Sequence, residues 1–129
     1  MIQTVQILII AKQRSSRQSL RALLNTWPAA GSIREAENCQ SALQLCQSAK
    51  PDLVILDLHQ PELNDLEIAH QIKSLWPPVK VVCLSMYPDA LSQAHLAGAD
   101  LCFSKSDSPE ALLNSLETII LPTKPLLKA

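Results

Sequence analysis

The run Leu53-Val54-Ile55-Leu56-Asp57 constrains this chain more than any other stretch. Consecutive large apolar residues, opened by Pro51-Asp52, fit a strand buried on both faces. A strand of that kind belongs in the middle of a parallel sheet. It delivers one carboxylate, Asp57, to its C-terminal end, the edge where ligands and chemistry collect in parallel α/β sheets. Two other apolar runs end in the same way. Lys80-Val81-Val82-Cys83-Leu84 leads to Ser85, and Leu101-Cys102-Phe103-Ser104 leads to Lys105. An acid, a hydroxyl and an amine are therefore expected at one end of one sheet. The first apolar run, Val5-Gln6-Ile7-Leu8-Ile9-Ile10, ends instead in Ala11-Lys12, with no acid.

Amphipathic segments separate these strands. Leu20, Leu23, Leu24 and Trp27 recur at helical spacing and predict a helix over 16–27, stopped by Pro28. A short strand is expected over 32–36. Asn38 is a suitable N-cap for a second helix that turns Ala42, Leu43, Leu45 and Cys46 inward. A third helix over 63–76 is expected to bury Leu66, Ile68, Ile72 and part of Leu75 before Pro77-Pro78 breaks it. Strand four is expected over 79–84. A short helix over 89–97 ends at Gly98, a natural residue just past a helix end. Ser108-Pro109-Glu110 combines an N-cap, a first-position proline and an acid in the first turn, and opens a last helix over 109–120. Five βα units without an internal repeat predict one doubly wound α/β domain. Residues 1–121 form that domain, and 122–129, with two prolines, read as a tail or the start of a linker.

Composition narrows the function. A chain of 129 residues with 47% hydrophobic residues can build a real core. The net charge of −1, from 11 basic and 12 acidic residues, gives no footprint for nucleic acid. No apolar run approaches the ~20 residues of a membrane span. The N-terminus has no charged region ahead of its apolar stretch, so no signal peptide is expected and the compartment reads as cytoplasmic. Cys39, Cys46, Cys83 and Cys102 form no CxxC pair and read as buried free thiols in a reducing compartment.

In its ordered motifs the chain resembles the receiver domain of bacterial two-component response regulators, over about residues 4–120. The resemblance rests on Glu35-Ala36-Glu37-Asn38 leading to Ala42-Leu43, on Pro51 to Leu58 followed by Pro61, on Gly98-Ala99-Asp100 leading to Lys105, and on Ser108-Pro109-Glu110. It implies a flavodoxin-like (βα)5 fold, a five-stranded parallel sheet in the order 2-1-3-4-5. It also implies that Asp57 stands where the family accepts a phosphoryl group from a histidine kinase. Ser85 and Lys105 match the serine or threonine and the lysine that contact that group. The partners implied are a histidine kinase or an output domain, with a second copy of the chain as a further candidate.

The departures from the family are as informative. The acidic pair that helps hold Mg²⁺ is replaced by Ala11 and Lys12. Cys102 stands at the position of the aromatic switch. Where the family has Asp-Gly after strand three this chain has Asn64-Asp65, residues that tolerate a left-handed backbone, so that turn is expected to survive. Mg²⁺ needs several oxygen ligands and neutralises charge during phosphoryl transfer, a reaction that is mostly positioning and electrostatics. With one carboxylate and added cations, Mg²⁺ binding is expected to be weak or absent, and no other metal or cofactor is expected. The resemblance thus implies a degenerate receiver, a non-enzymatic regulatory module that binds protein without being phosphorylated. The alternative is a working phosphoacceptor that takes its phosphoryl group on Asp57. A flavodoxin-like ligand binder is a third reading, set back by the presence of only two glycines, Gly31 and Gly98.

Several residues keep two readings. Lys12 is either an ammonium standing in the vacated metal position or a solvated lysine at a loop start. Asp57 and Lys105 are expected to pair because the fold brings their strand ends together. His59, two residues past Asp57, either modulates the site or is a solvated loop side chain. His70 and His95 carry no assigned chemistry, and Trp27 and Trp76 read as packing anchors.

Overall fold

The computed structural model describes residues 4–58 and 63–120. Strands and helices alternate strictly: β1 Val5–Ile10, α1 Arg14–Leu24, β2 Ala30–Ala36, α2 Cys39–Ser48, β3 Leu53–Asp57, α3 Leu63–Leu75, β4 Lys80–Ser85, α4 Pro88–Leu96, β5 Leu101–Ser104 and α5 Pro109–Ile120. The five strands form one sheet in the order β2-β1-β3-β4-β5. Every neighbouring pair is parallel. The flavodoxin-like α/β fold is therefore the observed one.

The strand sequences explain the two layers. Along each strand successive side chains point to opposite faces. Leu8, Ile10, Val54, Leu56, Val81 and Cys83 face one way and pack with α2, α3 and α4. Ile7, Ile9, Leu53, Ile55, Val82 and Leu84 face the other way and pack with Leu20, Leu24, Leu112 and Leu116 of α1 and α5. Both faces of β1 and β3 are covered, which is why their sequences are apolar without a polar alternation.

The helix ends follow from local chemistry. Asn38 caps α2 through its side-chain oxygen, which accepts from the Ser41 N–H at 2.8 Å. Ser108 does the same for α5, accepting from the Ala111 N–H at 3.2 Å. At the other end of α2, where the last turn has no basic residue, Arg34 reaches over from β2 and donates to the carbonyls of Leu45 and Ala49. Gly98, at φ 103°, closes α4. Its N–H donates to the His95 carbonyl and the Ala99 N–H to the Ala94 carbonyl, both at 3.1 Å, a Schellman closure that needs the left-handed backbone glycine adopts freely.

Two short acids tie the N-terminal edge of the sheet. Asp52 accepts from the Gln6 N–H at 2.8 Å. Asp100 accepts from the Val81 N–H at 2.8 Å and pairs with Lys73 at 3.0 Å. The Asp100 of the Gly98-Ala99-Asp100 motif is thus a scaffold residue.

Several boundaries differ from the sequence reading. The first helix is Arg14–Leu24, starting earlier than expected and stopping short of Trp27. The approach to Pro28 is made by tighter turns, Thr26 N–H to Leu23 carbonyl and Trp27 N–H to Leu24 carbonyl, both 3.0 Å. Trp27 still packs, at 4% exposure. The second strand begins at Ala30, and the fourth runs Lys80–Ser85, so Ser85 belongs to the ladder itself. Leu75, expected to be partly buried, is 59% exposed. The buried row of α3 steps by four through Ile68 and Ile72, so it reaches Trp76, which packs against the core in its place. Asn64 and Asp65 lie in the first turn of α3, so they do not form a left-handed turn ahead of it. Of the thiols, Cys46 and Cys83 are buried, while Cys39 and Cys102 are half-buried; all four are free.

Candidate functional site

The sheet register assembles the site. Asp57, the last residue of β3, lies opposite Leu84 of β4, and Ser85 lies opposite Ser104 of β5. The Leu58 N–H donates to the Leu84 carbonyl at 2.8 Å and the Lys105 N–H to the Ser85 carbonyl at 3.0 Å. These bonds extend the ladder one residue beyond the strands, so the backbones bearing Asp57, Ser85 and Lys105 are fixed next to one another.

Lys105 Nζ stands 2.5 Å from Asp57 Oδ1. The Asp57 side chain is 5% exposed and that of Lys105 29%. The contact is one of charge: Oδ1 is buried and accepts no hydrogen bond of proper alignment. A carboxylate in that position depends on its counter-ion, because a buried charge without one is costly. Ser85 is fully buried, and its Oγ accepts from the Tyr87 N–H at 3.0 Å, which shapes the turn into α4.

The β1 side of the same edge is built differently. Ala11 is buried, and its N–H donates to the Ala36 carbonyl at 3.0 Å. Lys12 is exposed. The guanidinium of Arg17, on α1, donates through Nη1 to the carbonyls of Ala11 at 2.7 Å and Lys12 at 3.1 Å. Its Nε lies 3.4 Å from Glu35 Oε1. Arg21, one turn further along α1, reaches Glu35 Oε2 at 2.5 Å and the Ile33 carbonyl at 2.6 Å. The sequence reading missed this arginine pair. Its signal is a spacing of four, which puts both guanidinium groups on one face of α1, opposite an acid near the end of β2.

Cys102 lies on β5 and is half-buried. It packs with the α2, α3 and α4 side, whereas its neighbour Phe103 packs with the α1 and α5 side. It is the ladder partner of Cys83. Burial raises the Cys102 thiol. Burial first, then the nearby Cys102 and Asp100, pushes Cys83 up to about 12. Neither is a thiolate nucleophile at neutral pH. His59 lies outside the described residues. Among the described residues no group of three His, Cys, Asp or Glu side chains is placed to hold a metal ion, and no helix is long and apolar enough to cross a membrane.

A parallel sheet in this order, with an acid, a serine and a lysine at the ends of its third, fourth and fifth strands, defines an α/β domain of the receiver type. The response regulator receiver domain family matches residues 7–117, and the chain belongs to that family. The nitrate/nitrite response regulator protein NarL of Escherichia coli is 32% identical over 112 residues, covering 85% of this chain and 52% of NarL. The response regulator MprA of Mycolicibacterium vanbaalenii is 33% identical over 124 residues, covering 94% of this chain and 52% of MprA. The chain spans about half the length of the curated relatives it matches. A response regulator from Thermotoga maritima superposes with a TM-score of 0.78 at 25% identity, covering 91% of this chain and 98% of that one. A LuxR-family two-component response regulator from Aurantimonas gives a TM-score of 0.82 at 24% identity, covering 94% and 88%, a likeness of fold.

Proposed function

We propose that this receiver domain is a cytoplasmic, non-enzymatic regulatory module that acts through protein contact without Mg²⁺-dependent phosphorylation. The observation that carries this reading is the pairing of Asp57 with Lys105 beside a β1 edge that offers no carboxylate. The donor set does not fit Mg²⁺. Among the described residues Asp57 is the one carboxylate at the ends of β1, β3 and β4, it is already neutralised by an ammonium, and the Ala11 and Lys12 carbonyls are engaged by Arg17. A hard divalent ion that demands near-octahedral oxygen coordination gains little from such a set.

The partner is a protein, a second copy of the chain included. Met86, Tyr87 and Leu96, on and just before α4, present exposed apolar surface, and apolar surface of that kind is where protein contacts form. With Cys102 in place of the aromatic switch, this face has no evident two-state element to couple it to Asp57, and coupling needs one.

Incubation with acetyl phosphate, with and without millimolar Mg²⁺, followed by intact mass measurement, tests the proposal. The expected result is an unmodified chain in both arms. A phosphoryl adduct on Asp57 that depends on Mg²⁺ would overturn it in favour of the phosphoacceptor reading, which the positions of Ser85 and Lys105 beside Asp57 favour.

A further inference from the structure

Cys83 of β4 and Cys102 of β5 are ladder partners in a parallel pair of strands. Both pack on the layer of α2, α3 and α4, so they stand side by side on one face of the sheet. Neighbouring strands lie about 4.7–4.9 Å apart, inside the roughly 4.4–6.8 Å that a disulfide spans between Cα atoms. Cys83 is buried and Cys102 half-buried. Cys102 lines an open groove between α4 and β5, together with Leu91, His95 and Leu96. One thiol of the pair is therefore within reach of a small oxidant, and the other lies behind it. The remaining thiols, Cys39 and Cys46, belong to α2, which packs on β1 and β2, across β3 from the pair.

We infer that Cys83 and Cys102 form an oxidant-responsive pair that closes into a disulfide and clamps β5 to β4, with hydrogen peroxide as the class of oxidant. Peroxide reacts at the Cys102 sulfur: the oxygen–oxygen bond breaks, a sulfur–oxygen bond forms, and Cys102 becomes a sulfenic acid with release of water. The Cys83 sulfur then attacks the Cys102 sulfur. A sulfur–sulfur bond forms, the sulfur–oxygen bond breaks, and the hydroxyl leaves with the Cys83 proton as a second water. The pair loses two electrons and two protons, and the peroxide takes them up. Two properties set how the clamp behaves. Burial keeps both thiols protonated at neutral pH, so closure is slow there and answers sustained rather than brief exposure. Side chains of strand neighbours stand perpendicular to the sheet at the strand spacing, whereas a disulfide draws its Cβ atoms to about 3.8 Å. The closed bond is therefore strained, and a strained disulfide is readily reduced by a thiol. While closed, it ties the strand that leads to Lys105 to the strand that ends in Ser85.

The reduced whole chain is incubated with millimolar hydrogen peroxide at mildly alkaline pH, then cleaved before its aspartates under non-reducing conditions. Asp89 and Asp100 lie between the two cysteines, so cleavage puts them on separate peptides. A peptide linked through Cys83 and Cys102 is expected, and millimolar reduced glutathione is expected to release it. The Lys105 N–H donates to the Ser85 carbonyl at 3.0 Å, across the same two strands. In the linked chain its exchange with deuterium is expected to slow at least about tenfold, as local opening of β5 is suppressed. Dimedone present during oxidation is expected to label Cys102 in Cys83→Val and not in the unaltered chain, where Cys83 consumes the sulfenic acid first. Absence of the linked peptide, linkage through Cys39 or Cys46 instead, a link that survives glutathione, unchanged exchange at Lys105, or equal dimedone labelling in the two proteins would each overturn the assignment. Labelling of Asp57 by acetyl phosphate moves none of these readouts.

Discussion

The two halves of the C-terminal sheet edge are held by different chemistry. On the β1–β2 side, Arg17 spans two backbone carbonyls and Glu35, and Arg21 adds a second hold on Glu35 and the Ile33 carbonyl. On the β3–β5 side, one lysine meets one buried aspartate without hydrogen-bond alignment, next to an open cleft. The first half is a network in which two guanidinium groups share Glu35 and hold three backbone carbonyls. The second rests on one ion pair. A guanidinium suits the first role because its planar fork serves several acceptors at once, and a lysine suits the second because its ammonium is a mobile point charge. The contrast teaches that a β1 end without carboxylates need not be loose: a cation from α1 organises the β1 carbonyls, while the β3–β5 side rests on a single ion pair.

Breaking the network half should give the largest effect. The Arg17 side chain is only 14% exposed, so its hydrogen bonds and ion pair are discounted little by solvent. Arg17→Ala is expected to cost about 2–3 kcal/mol, the range for several charge-assisted hydrogen bonds lost together, read from urea unfolding. A loss below about 0.5 kcal/mol would show that water replaces the guanidinium without penalty and that the two halves are alike.

Converting the network half toward the metal-binding pattern sharpens the comparison. Ala11→Asp combined with Lys12→Asp places two carboxylates beside Asp57 and is expected to tighten Mg²⁺ binding at least about tenfold, about 1.4 kcal/mol. Shifts of the strand-end amides during an Mg²⁺ titration measure it. Saturable millimolar binding by the unaltered chain would mean that the β1 edge was never the deficiency.

The β4–β5 side carries its own pH response. Cys83 has a folded value pushed up to about 12 against an ordinary 9.0. A thiol raised on folding leaves stability intact below about pH 9. Above that the unfolded chain releases its proton while the folded one keeps it, so stability falls until the folded thiol also titrates near 12. The slope approaches about 1.4 kcal/mol per pH unit. Cys83→Val should therefore remove about 1 kcal/mol of the stability loss between pH 9 and 10, measured as the difference between the two proteins in urea unfolding. Identical pH dependence in the two would show that burial at this ladder position is not what holds the proton.

The smallest expected effect is at the site itself. Asp57→Asn removes the charge while nearly keeping the shape. If the α4–β5 face is uncoupled from the edge, self-association measured by sedimentation equilibrium should change by less than about 1 kcal/mol, below the ~1–3 kcal/mol of ordinary allosteric coupling. A tenfold change in association would make Asp57 a working switch and set the two halves further apart in function.

What the amino-acid sequence determined by itself is whatever depends on neighbours along the chain. The alternation of apolar runs and helical periods specified five βα units. The caps at Asn38 and Ser108 and the stop at Gly98 are local motifs and stand where the sequence placed them. Asp57, Ser85 and Lys105 were legible as strand-end residues, and the family resemblance supplied the strand order that makes them neighbours. Tertiary structure decided what depends on phase and on partners distant in sequence. Helical phase turned Leu75 out and Trp76 in, because a four-residue step carries the buried row past Leu75. Arg17 and Arg21 read as ordinary helix-surface cations until the fold set Glu35 and the β1 carbonyls against them. The cleft is drawn from two helices and three strand ends remote in sequence, and whether facing side chains fill such a space is settled by packing in three dimensions, for which sequence periodicity provides no measure.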